Sequence, residues 1–197
     1  MEIYEAIKQR RSIHDFKHRN VEESILRSIF AAASWAPTHR MKEPWEVHII
    51  QNKAVASFAE QVTESYLRLG YAKGYDKEKQ GKLMEGIKDH LLSIPHHAII
   101  YMEKGKDLRL FEEDYAAVCA FIQNVQLMAW KHGVGVLWTT NPYIYDREFS
   151  KSCGIDPELY KIVSVLQMGY PNKIPKPKRR TPIEQKVNFI NDWQLNG

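Results

Sequence analysis

The spacing of apolar side chains divides the chain into segments of two periods. Ile3, Tyr4, Ala6 and Ile7 recur at steps of three and four, the repeat of a helix with one buried face, so a short amphipathic helix is expected over Glu2–Gln9. From Val21 to Ala33 the same repeat returns with Ile25, Leu26, Ile29 and Phe30 and stops ahead of Pro37, because a residue preceding proline is pushed out of helical conformation. Trp45–Gln51, opened by Pro44, has the β-branched character of a strand. Helices over Lys53–Leu69 and Lys77–Leu92 then lead to a buried strand at His97–Met102. The longest helical stretch, Phe111–Lys131, spreads its apolar residues over more than one face. Such a helix needs cover on every side, and part of it is expected from a second subunit. Strands at Val134–Thr140 and Lys161–Met168 complete an α+β domain around a mixed sheet flanked by helices.

After Tyr170 the periodicity ends. Pro171, Pro175, Pro177 and Pro182 are spaced by Lys173, Lys176, Lys178, Arg179 and Arg180, which predicts an extended arm over residues 171–197 beyond a single domain of residues 1–170. Within the arm, Ile183–Trp193 regains apolar residues and is expected to dock on something. A length of 197 residues suits one domain, and 44% hydrophobic with 26% charged residues excludes disorder as the main state.

Charge sharpens this division. Pro171–Lys186 holds six Lys and Arg against Glu184, so its net of +5 leaves −1 for the rest of a chain whose total is +4. A basic charge confined to one arm argues against a nucleic-acid surface spread over the fold. Two cysteines, Cys119 and Cys153, give neither a disulfide framework nor a zinc quartet and suit a reducing cytoplasm. Charged residues in the first turns leave no room for a secretory signal, and the longest apolar run, Ala116–Ile122, is too short to span a bilayer.

Several candidate chemistries are weak on inspection. His96 and His97 are adjacent on a strand and point to opposite faces, so they do not share a metal ion; no metal site is expected. Gly133 and Gly135 lack the third glycine and the preceding strand of a dinucleotide loop, and read as a helix stop. Cys119 sits among apolar neighbours, where a thiol is usually packing. Glu112, Glu113 and Asp114 are expected to serve the helix dipole. Arg10-Arg11-Ser12 remains: guanidinium forks beside a hydroxyl suit a terminal phosphate.

Taken together, Arg10-Arg11-Ser12-Ile13-His14-Asp15-Phe16, then Ala36-Pro37-Thr38-His39 with Pro44-Trp45, then Gly133-Val134-Gly135-Val136-Leu137-Trp138-Thr139-Thr140 resemble the nitroreductase family. The resemblance spans nearly the whole chain, including the Asp114–Ala129 helix and the closing Gly169-Tyr170-Pro171. It implies an FMN-dependent, interlocked homodimer with two active sites at the interface and C-terminal segments embracing the partner. Arg10 and Ser12 would hold the FMN phosphate and ribityl end with Arg11 alongside, and Arg179 or Arg180 would add charge. Trp35, Thr38 and His39 would meet the flavin from the other subunit, with Trp138, Thr139 and Thr140 on the opposite side. NAD(P)H would reduce the flavin, and a nitroaromatic, quinone or related small molecule would reoxidise it. The same cofactor site admits dehalogenation, enone reduction or flavin breakdown; a polyanion-binding protein using the basic arm is the reading from another class. This chain carries His39, Arg40, Met41, Lys42 and Glu43 where many members have small residues, an asparagine and a glutamine. The polar stretch Tyr71–Asp89 is expected to cover the substrate side.

Overall fold

The computed structural model describes residues 2–191, and its elements begin and end within a few residues of the periodicities. They run α1 (Ile3–Gln9), α2 (Glu23–Ala33), β1 (Glu46–Gln51), α3 (Ala54–Arg68), α4 (Lys77–Leu92), β2 (His96–Glu103), α5 (Leu108–Lys131), β3 (Gly135–Thr139), α6 (Arg147–Ser152) and β4 (Tyr160–Gly169). The helix α6 was not expected, because six residues are too short to show a repeat. It is set instead by Asp146, whose carboxylate accepts from the Glu148 backbone N–H at 3.1 Å, and by Phe149, which is fully buried.

Asp107 caps α5 in the same way, accepting from Leu110 N–H at 3.1 Å. The helix therefore starts earlier than the acidic trio suggested, and Glu112–Asp114 lie in its second turn rather than at its dipole. Asp114 is buried and serves a different purpose, described below.

The sheet has the order β1-β2-β4-β3, and all its strand pairs are antiparallel. The parallel component of the expected mixed sheet is a single bridge, Ser12 to Val136. One face, with Ala98, Ile100, Met102, Leu166 and Met168, packs against α2 and α5. The other, with Ile99, Ile162 and Val165, packs against α3, α4 and α6. The histidines follow this alternation. His96 accepts from the Val21 backbone N–H at 2.9 Å, whereas His97 donates to the Leu91 carbonyl at 3.1 Å and packs on the Phe58 ring from the opposite side. Among the described residues no group of three or more His, Cys, Asp or Glu is placed to hold a metal, and no helix is long and apolar enough to cross a membrane.

The two glycines after α5 have separate tasks. Gly133 ends the helix at φ +71°, a conformation that costs other residues roughly 1 kcal/mol. At Gly135 a Cβ would lie 2.5 Å from Ile13 Cγ1, so only glycine lets the segment after α1 lie flat on β3. That contact brings the arginine motif to the strand that follows the helix.

The arm from Pro171 is extended and exposed, with a short 3-10 turn at Ile183–Gln185. Part of the expected docking segment, including Trp193, lies outside the described residues. The packing of α5 also leaves an open side: Val118, Phe121, Ile122 and Val125 are buried, while Leu108 is 70% exposed at its start.

Candidate active site

Three guanidinium groups meet at the end of α1. Arg10 terminates the helix and is half-buried. Burial, then the neighbouring charges of Arg11 and Arg180, hold its pKa below the ordinary guanidinium value. Its Nη1 reaches Gln126 Oε1 of α5 at 3.4 Å, and among the described residues no carboxylate pairs with any of the three arginines. Arg180, from the arm, lies close enough to Arg10 for its charge to be felt there. Arg11 turns back instead, donating to the carbonyls of Lys8 at 2.7 Å and Arg10 at 2.8 Å, so it also closes the C-terminus of α1.

The chain then runs along β3. Ser12 bridges Val136 in parallel, and Ile13 N–H donates to the Val136 carbonyl at 3.2 Å. Two residues on, His14 comes beside Trp138 at a cavity of about 650 Å³. Arg10 lies four residues earlier, roughly 13 Å along extended backbone.

Leu137–Asn141 form the floor of this cavity, Tyr66 of α3 a wall, and Leu83, Ile87 and His90 of α4 the roof. From the polar stretch Tyr71–Asp89, Lys82, Leu83, Gly86 and Ile87 line this cavity. Trp138 Nε1 and Gln167 Oε1 are buried without a hydrogen-bond partner, and the Trp138 ring packs on the α2 and α5 side of the sheet. Among the described residues no carboxylate lines the cavity. Burial pushes Tyr143 up to about 12 and raises Tyr66 still further from its usual value, so neither phenol supplies an anion near neutral pH. His14 and His90 also line it.

The remaining residues divide in two. Thr139 lines the cavity, but its hydroxyl donates to the Val165 carbonyl at 2.8 Å. Thr140 lies at the exposed end of the floor. Trp35, Thr38 and His39 are not part of this cavity within one chain: Trp35 is 88% exposed beyond α2, and the other two belong to a tight loop over α5. In that loop Arg40, Met41 and Glu43 take φ of 51°, 55° and 49°, each costing about 1 kcal/mol or more for a non-glycine residue. The loop is closed by Thr38 Oγ1, which accepts from Glu43 N–H at 3.0 Å. Lys42 anchors it, with Nζ 2.6 Å from the buried Asp114 carboxylate and 3.8 Å from Glu103. The Asp114 hydrogen bond raises the Lys42 ammonium above its usual pKa despite partial burial. His39 Nδ1 sits 3.9 Å from Glu113 Oε2.

Neither cysteine is an activated nucleophile. Burial raises the Cys119 thiol and pushes Cys153 to about 11. His14, Gln126, Gln167 and the α4 residues were not picked out from sequence. His14 lay inside the arginine motif, and its position beside Trp138 depends on a register that the sequence does not display.

A model of the nitroreductase family matches residues 7–170. A Bacillus subtilis (strain 168) protein provisionally named NAD(P)H nitroreductase YfhC is 27% identical over 185 residues, 93% of this chain and 92% of that protein. An iodotyrosine deiodinase of Hydra vulgaris is 26% identical over 204 residues, which cover 95% of this chain and 73% of the relative. The crystal structure of a nitroreductase-like family protein from Bacillus cereus superposes with a TM-score of 0.87 at 32% identity, over 98% of this chain and 97% of that one. More distant solved structures share the fold, FMN-dependent nitroreductases among them.

Proposed function

The chain belongs to the nitroreductase family, and from that premise we propose that it is an FMN-dependent oxidoreductase, working as a homodimer, that takes hydride from NAD(P)H and reduces a nitroaromatic, quinone or related acceptor in two separate half-reactions. One observation carries the reading. A guanidinium cluster without a carboxylate is joined, by a short extended segment, to a carboxylate-free aromatic cavity. That combination fits a flat ring system with a phosphate at one end.

In this reading Arg10 and Arg180 hold the phosphate, and the exposed Ser12 hydroxyl adds a hydrogen bond near it. Leu137–Thr140 support the ring. The roof of α4 limits the access of water. Bound FMN supplies the two-electron chemistry, so the protein needs no nucleophile and no carboxylate base. The turn Pro37–Thr38–His39 of one protomer, with Trp35, meets the flavin bound by its partner. Support for the dimer comes from large apolar side chains left in water by the single chain: Trp35, Phe189 at 87% exposure, and Ile3 at 73%.

A groove of about 520 Å³ between α2 and the open edge of β1, lined by Phe30, Val47 and Ile49, offers a seat for the partner's arm. The two half-reactions predict parallel double-reciprocal lines when donor and acceptor are varied together. Intersecting lines, or turnover without flavin, contradict the scheme. The deiodinase relative favours a second reading in which the acceptor is a halogenated phenol and the reaction reductive dehalogenation. Halide release in the presence of NAD(P)H, exceeding nitroarene turnover, selects it. A colourless protein that takes up no FMN, yet binds DNA with a steep salt dependence, points to the polyanion-binding class instead.

A further inference from the structure

A second cleft, of about 440 Å³, opens between the loop joining β2 to α5, the start of β4, and α6. None of the residues assigned to the flavin lines it. Three lysines line it, Lys104 and Lys106 on the loop and Lys161 on β4, together with the rings of Phe111, Tyr145 and Tyr160. Among the described residues no carboxylate is part of the lining. Lys104 Nζ donates to the Pro157 carbonyl at 2.5 Å, which fixes the group without cancelling its charge. Lys161 Nζ lies 5.3 Å from the Tyr145 ring centroid, again a contact that leaves the charge uncompensated. Lys106 has no ion pair among the described residues.

The acids around the cleft are engaged elsewhere, Asp107 as the cap of α5. Glu158 pairs with Arg147 at the rim, and Glu103 faces Lys42 at 3.8 Å on the other side. Three like charges gathered in one recess repel one another, and an anion relieves that repulsion. Tyr145, 66% exposed, leaves a broad ring surface facing the same recess. With no His, Cys, Asp or Glu in its lining, the cleft does not suit a metal ion, and its volume falls within the usual range for a small organic molecule.

We propose that this cleft binds a planar aromatic anion, a ring system bearing a carboxylate, whose acid group is held by Lys104, Lys106 and Lys161 while its ring lies against Tyr145 and Phe111. The proposal does not depend on the flavin assignment, since the two sites share no residue.

The test is calorimetric titration of the flavin-loaded protein with 1-naphthoate, and with 1-naphthalenemethanol as its neutral counterpart. Wild type is compared with Lys161→Gln and Lys106→Gln; Lys106 is an exposed loop residue whose replacement leaves packing untouched. Saturable binding of naphthoate, weakened about five- to tenfold by each substitution and at least tenfold tighter than the alcohol, is the expected result. Unchanged affinity in both variants, equal affinity for the alcohol, or no saturable binding overturns it. Steady-state kinetics then identify the source of the ligand. Competition between naphthoate and a neutral quinone places the cleft on the acceptor path, and binding without competition makes it a separate ligand site.

Discussion

Arg10 and Arg11 are neighbours in sequence with different work. Arg11 spends its donors on the carbonyls at the end of α1, whereas Arg10 stands half-buried beside Arg180 without an acid to neutralise it. Arg10→Ala is therefore expected to weaken FMN binding by about 1.5–3 kcal/mol, the worth of a charge-assisted hydrogen bond. Arg11→Ala should change it far less and instead loosen the first helix; quenching of flavin fluorescence in a titration of the apoprotein separates the two. His97 gives a prediction about stability. Its imidazole is neutral in the fold because burial lowers its pKa from 6.5 to about 4. The unfolded chain thus binds more protons between those values, stability rises with pH across that window, and on the order of 3 kcal/mol is lost as pH falls from 6.5 towards 4. Urea midpoints measured from pH 4 to 7 should show this slope, and His97→Phe should flatten it. The arginine cluster proposed to hold the phosphate was legible at this scale because Arg10-Arg11-Ser12 is contiguous. The hydroxyls of Thr38 and Thr139 were not, since whether a hydroxyl is free for a ligand depends on a loop closure or a neighbouring strand.

Among the elements, the loop from Thr38 to Glu43 concentrates the strain of the molecule. Three non-glycine residues with positive φ within four positions persist only if something holds them, and the Lys42 contact with Asp114 is the strongest tie available. Lys42→Ala leaves a buried carboxylate without its cation and should cost about 1–3 kcal/mol in denaturant unfolding. Adding Asp114→Asn should recover part of that loss, and simple additivity of the two would show that the ion pair does not hold the loop. The departure of His39–Glu43 from the small residues common elsewhere was visible in the sequence, but its meaning was not. It makes sense only once Asp114, 72 positions away from Lys42, is seen beneath the loop. The reverse happened after α5, where two glycines that read simply as a helix stop proved to include one, Gly135, shaped by the approach of Ile13.

At the scale of the whole molecule, the single chain leaves apolar side chains in water that its own core cannot use. Phe189 touches nothing that its loss would disturb, being 87% exposed, so Phe189→Ser should leave the thermal stability of a protomer unaltered while shifting the dimer towards monomer in sedimentation. Burial of an aromatic side chain contributes about 1.5–3 kcal/mol, enough to raise the dissociation constant tenfold or more. An unchanged dimer removes this part of the arm from the interface. The α+β architecture was readable from periodicity because each element hides one face. The proposed dimer was readable only as surplus apolar surface, on α5 and along the arm.

The proposed activity requires that the protein retain FMN and that NAD(P)H reduce it. Anaerobic stopped-flow absorbance of the purified protein loaded with FMN tests it directly. The flavin band should bleach on mixing with NADH or NADPH and return when a nitroaromatic or quinone is added in a second push. Failure to retain FMN, or a retained flavin that neither nucleotide reduces, would contradict the central claim.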